Sequence, residues 1–164
     1  MSKLSTLINQ LASYIVIVSI FVMTVVVIVQ VFCRYVLGFS IFWSEELARY
    51  LLVWTTFLGG SVAYKKAQLA SINFLAEKLP ARPRALVGIL AQIMALTFIV
   101  VAAYYGFKQS FSPSVTMQVS PAMRLPMTYA YLAVPIGFGI IMIHSIENLY
   151  KHILLALKGN EVAG

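Results

Sequence analysis

Four stretches of this chain are almost free of charge, and each is about as long as a helix must be to cross the hydrocarbon of a bilayer. From Leu4 to Cys33 there is no charged residue, and the core from Tyr14 to Phe32 reads YIVIVSIFVMTVVVIVQVF. Leu47 to Tyr64 carries only Arg49, in its first turn, where a long side chain can reach the headgroups. Ala85 to Phe107 and Pro126 to Ile146 complete the set. The pattern predicts an all-α integral membrane protein, a single four-helix domain over residues 1–164, with spans at approximately 12–34, 45–66, 85–107 and 126–149.

Local signals mark the ends of these helices. Ser44 has the chemistry of an N-cap, and Glu45 and Glu46 would then meet the positive end of the helix dipole. Pro80 and Pro83 end a helix before span three, and Pro126 suits the first turn of span four. Pro135, inside that span, removes one backbone hydrogen bond and is expected to bend the helix. Span one closes on Cys33, Arg34 and Tyr35 rather than on a small-residue cleavage site, so it is expected to stay in place and not to act as a removable signal.

Composition agrees, with 61% hydrophobic and 10% charged residues, whereas a soluble domain carries about 25% charged residues to cover its surface. The net charge of +7 does not point to nucleic acid, because the basic residues sit in short clusters beside apolar runs. They read instead as topology signals. Lys3, Lys65, Lys66, Lys78, Arg82, Arg84, Lys151 and Lys158 fall on one side, and Arg34, Arg49, Lys108 and Arg124 on the other. The richer side is cytoplasmic by the positive-inside rule, so both termini are expected there. Glu77 is the only acid in the loop between spans two and three.

Candidate chemistry is sparse. An ionisable group at mid-membrane usually marks a transport pathway, and no span has one; Gln30, Gln92 and His144 read as interhelical hydrogen-bonding residues. His144 and His152 are a poor haem pair, since a bis-His haem draws its ligands from different helices. The lone Cys33 supports neither a disulfide nor a metal site. No phosphate loop or nucleophile motif is present, so no enzyme activity, cofactor or metal is expected. Glu45 and Glu46 point about 100° apart on a helix and cannot easily share a proton. With Arg49 at i+4 and i+3 they could instead form a polar collar beside Trp43.

Other features favour contact with helices. Gly59, Gly60, Ser61 and Ala63 in span two, and Gly137 and Gly139 in span four, let another helix approach closely, whether from within the unit or from a partner. The outer segment KQSFSPSVTMQVSPAMR, Lys108 to Arg124, is too polar to span and reads as a surface loop. Its Met117, Val119 and Met123 could meet the membrane interface or a partner; a loosely ordered connector is the plainer alternative.

The stretch Arg34, Tyr35, then Ser40, Ile41, Phe42, Trp43, Ser44, Glu45, Glu46, Leu47, Ala48, Arg49, Tyr50 resembles the small membrane subunit of tripartite ATP-independent periplasmic (TRAP) transporters. In that family an R-Y element closes span one and a W-S-E-E-x-A-R element opens span two. A Leu-Gly follows (Leu58, Gly59), and then a basic pair (Lys65, Lys66). Pro126, Tyr129, Tyr131, Pro135 and Gly137 look like the proline, aromatics and Pro-x-Gly of its fourth span. Many members carry a His and an acid after the basic pair, where this chain has Leu69 and Asn73.

The resemblance implies an importer in the bacterial inner membrane. A periplasmic binding protein captures an organic anion, a large membrane subunit carries it inward with sodium, and a small subunit braces the large one. This chain looks like the last of these, with Arg34, Trp43, Glu45, Glu46, Arg49, Gly59, Gly60, Pro135 and Gly137 as interface or structural residues. Its expected partners are the large subunit, the binding protein and membrane lipid. Two alternatives lack support in the residues. An autonomous small-multidrug-type transporter needs a buried acid in span one, and a redox-complex anchor needs facing histidines.

Overall fold

In the computed structural model the backbone is described over residues 2–74 and 81–158, and the side chains over 5–66, 87–150 and at Ile153. Glu77, Lys78 and Pro80 therefore lie outside the described residues, as do the side chains of Lys3, Leu69, Asn73, Arg82, Arg84, Lys151, His152 and Lys158. The described chain is helical: α1 (Ser2–Tyr35), α2 (Phe42–Phe74), α3 (Ala81–Ser110), the single turns α4 (Pro113–Thr116) and α5 (Thr128–Tyr131), and α6 (Ala133–Lys158). An isolated antiparallel bridge joins Val119 to Pro126.

Packing puts the four long helices in the order α1, α2, α6, α3. The pairs α1 with α2 and α3 with α6 lie along each other, and α2 against α6 joins the pairs. Among the described residues three helices are long and apolar enough to cross a membrane, Ser5–Tyr35, Val87–Ser110 and Thr128–Tyr150. The protein is a multi-pass membrane protein. In α2 the apolar run is diluted by Thr55, Thr56, Gly59, Gly60 and Ser61, which explains why it falls short of that set.

Helix boundaries depart from expectation in instructive ways. α2 begins at Phe42, and Ser44 is not its N-cap: its buried hydroxyl donates to the Ile41 carbonyl at 2.6 Å, inside the first turn. α3 begins at Ala81, so Pro83 lies within its first turn rather than ending a helix, at a level where a missing N–H costs nothing. Pro126 pairs with Val119 instead of starting a helix, and the helix begins at Thr128. α1 closes at Gly38, whose φ of 73° turns the chain so that the Phe39 N–H returns to the Cys33 carbonyl at 3.2 Å.

Pro135 does more than bend its helix. It has no N–H for the Tyr131 carbonyl, and the helix breaks between α5 and α6 at Leu132. Gly106 of α3 makes room for the break: a Cβ there would lie 2.9 Å from Val134 Cγ1 and 3.4 Å from Pro135 Cδ. At the α2–α6 crossing Gly137 is as tight, its virtual Cβ 2.7 Å from Phe57 Cβ and 3.0 Å from the Phe57 carbonyl oxygen. A row of rings, Phe57, Phe138 and Phe98, then carries the contact from α2 across α6 to α3, with centroids 6.0 Å apart at each step.

Candidate functional site

The polar side chains collect at two levels. At the outer level, the two adjacent acids at the head of α2 diverge, as the helical turn requires. Glu45 accepts from Gln30 Nε2 of α1 at 2.9 Å, tying α1 to α2. Glu46 faces the other way and clasps the outer loop. Its carboxylate accepts from Ser120 Oγ at 2.8 Å, from the Met123 N–H at 2.8 Å and from the Ala122 N–H at 3.1 Å.

Glu46 immediately precedes the apolar run that begins at Leu47. The Met123 and Ala122 N–H groups and the Ser120 hydroxyl all donate to it and so favour the charged carboxylate. The loop is thereby ordered rather than a loose connector. Ser120 N–H donates to the Leu125 carbonyl at 2.9 Å, and Met127 N–H to that of Gln118 at 3.0 Å. Arg124 is held at a φ of 52°, a conformation uncommon for a side-chain-bearing residue. Met117 and Val119 point outward, and Met123 is half-buried.

The expected ion pair does not form. With Glu45 on Gln30 and Glu46 on the loop, Arg49 has no carboxylate in contact among the described residues, and its exposed guanidinium acts on Glu46 only through its field. Arg34 is also exposed, its guanidinium carbon 6.0 Å from the centre of the Tyr35 ring. Tyr35, Phe39, Phe42 and Trp43 ring this end with exposed aromatic surface, as at a membrane–water interface. Trp54 Nε1 donates to the Tyr129 carbonyl at 3.1 Å, and the Tyr50 hydroxyl approaches Met127 Sδ at 3.5 Å, which seats α5 on α2.

The inner level joins all four long helices. The two N–H groups on Gln92 Nε2 of α3 are shared among the Ser145 carbonyl at 3.1 Å, the Tyr64 hydroxyl at 3.2 Å and Ser145 Oγ, and its Oε1 accepts from Asn148 Nδ2 at 3.4 Å. Beside it, Lys65 Nζ donates to Ser5 Oγ at 3.0 Å, and Ser5 lies 2.8 Å from His144 Nδ1. The Ser5 oxygen accepts from Lys65, and either Ser5 or the imidazole can supply the proton between Ser5 and Nδ1; the other ring nitrogen of His144 is Nε2. That nitrogen is buried with no partner among the described residues.

Residues 23–155 match the family described as tripartite ATP-independent periplasmic transporters, DctQ component. The chain belongs to that family. An isethionate TRAP transporter permease protein, DctMQ, of Oleidesulfovibrio alaskensis is 25% identical over 74% of this chain, which spans only 19% of that relative's length. A small permease protein assigned to a TRAP transporter in Haemophilus influenzae is 26% identical over 97% of this chain and 98% of its own length. The sialic acid TRAP transporter small permease protein SiaQ of Vibrio cholerae is 26% identical over 78% of this chain and 73% of its own.

Within this DctQ-family chain, the sequence-marked residues divide by what they touch. Glu45, Glu46, Pro135 and Gly137 are engaged inside the unit. A Cβ added at Gly59 would lie 4.0 Å from Val16 Cγ1 of α1, and one added at Gly60 would meet nothing within 4 Å. Trp43, Arg34, Arg49 and Gly60 remain on the outside. Gly106 was not singled out in the sequence, because only the fold sets it against Val134 and Pro135.

Proposed function

We propose that this chain is the non-catalytic small subunit of a sodium-coupled importer of organic-acid anions in the bacterial inner membrane, where it braces the large transport subunit. One observation carries the reading. In the Gln92 and Gln30–Glu45 networks polar side chains of different helices bond to one another, while α1 and α3 turn large apolar side chains outward. A unit built this way is cross-braced between its helices and compatible with lipid. α2 is its fourth span, both termini are cytoplasmic, and the clasped loop and aromatic rim face the periplasm, where the binding protein docks.

A larger membrane partner is supported by the isethionate relative, of whose length this chain spans 19%. Specificity lies with the partners, so carboxylates, acidic sugars and sulfonates are all admissible substrates. Purification of the chain from its own membranes in mild detergent, with the retained proteins identified by mass, tests the proposal. A large multi-pass permease at near-equal amount is the expected result; a redox enzyme, or no membrane protein at all, contradicts it.

A further inference from the structure

The outward face of α2 differs from those of its neighbours. On α1 and α3 the most exposed side chains are large and apolar, such as Phe21, Ile28, Leu90, Met94 and Phe98. On α2, Glu45, Arg49, Leu52, Thr56, Gly60 and Ala63 are the exposed residues between Glu45 and Ala63. At ~100° per residue these six fall within an arc of about 80°, and at ~1.5 Å per residue they run for about 27 Å, close to the thickness of the hydrocarbon.

Lipid is a poor neighbour for such a stripe. It has one large aliphatic side chain, Leu52. Gly60 leaves the helix backbone bare, with nothing within 4 Å of where its Cβ would stand. Arg49, one turn inside the outer rim, has lost both nearby acids to Gln30 and the loop. A protein helix answers each point, because a shallow surface admits close backbone approach and a carboxylate can meet the guanidinium.

We propose that this stripe seats a membrane helix of the large transport subunit, one that crosses α2 at Gly60 and bears a carboxylate level with Arg49. The proposal rests on the small-subunit reading above and names the face it uses. α1 and α3 are left to lipid.

The complex of this chain with its large subunit provides the test. A photo-reactive benzoylphenylalanine at Thr56 should couple to the large subunit, and one at Leu90 should not. Gly60→Leu, whose Cβ meets nothing within 4 Å in this chain, and Arg49→Glu should each lower retention of the large subunit by about tenfold, equivalent to ~1.4 kcal/mol. Leu90→Trp should not. Retention unchanged in both α2 variants, or coupling from Thr56 to lipid alone, overturns the docking face and leaves the small-subunit reading intact. A wild-type chain that retains no large subunit overturns both.

Discussion

Gly137→Ala puts a methyl group where α2 and α6 already touch. The new carbon would lie 2.7 Å from Phe57 Cβ and 3.0 Å from the Phe57 carbonyl oxygen, against the ~3.5–4.0 Å of an ordinary carbon contact. Two of the three nearest atoms are backbone, so no rotamer change relieves the clash, and the helices must part by about 1 Å. Overpacking of this kind costs ~1–3 kcal/mol. It also disturbs the ring contact of Phe57 with Phe138. For a chain of this size each kcal/mol is worth ~2–4 °C of melting temperature, so the variant should melt several degrees below wild type.

Two other glycines calibrate the effect. Gly60→Ala meets nothing within 4 Å and removes a flexible residue from a helix, so it should melt at or above wild type. Gly106→Ala presses first on a side-chain methyl of Val134 at 2.9 Å, which can yield, and should fall between. Thermal melts of the detergent-solubilised chain, followed by helical circular dichroism, give the ranking. Gly137→Ala melting with or above Gly60→Ala would refute the packing argument.

Three further outcomes are expected. Glu46→Gln should loosen the outer loop, seen as faster amide exchange at Ala122 and Met123. Exchange at these two amides unchanged from wild type would contradict the clasp. Gln92→Leu strips the inner network of its hub and should cost on the order of 1 kcal/mol in the same melts, interhelical hydrogen bonds in membranes averaging ~0.6 and reaching ~1.7 kcal/mol; an unchanged melt would show the network to be incidental. With Cys33 replaced, a Cys at Ser114 should react with an impermeant thiol reagent in intact spheroplasts and one at Ala81 should not, and the reverse would invert the topology.

Much of the architecture could be read from the residues because length and charge alone constrain a membrane helix. The long apolar runs, the break at Pro135 and the tight crossing at Gly137 all follow from local chemistry. What escaped was the choice among partners. Spacing placed Arg49 within reach of both Glu45 and Glu46, but spacing along one helix is blind to Gln30 on α1 and to three donors some 75 residues away in the loop. Those donors won because backbone N–H groups in a turn need an acceptor, while an exposed arginine can be satisfied outside the chain. The same blindness hid Gly106, whose role exists only because Val134 and Pro135 are folded against it.

Reconstitution tests the central claim most directly. Liposomes holding this chain alone, given an inward sodium gradient, a loaded binding protein and a labelled organic anion, should show no uptake. Adding the large subunit should start uptake, and omitting this chain from that mixture should sharply reduce it. Sodium-driven uptake by this chain alone, or full uptake without it, would contradict the account.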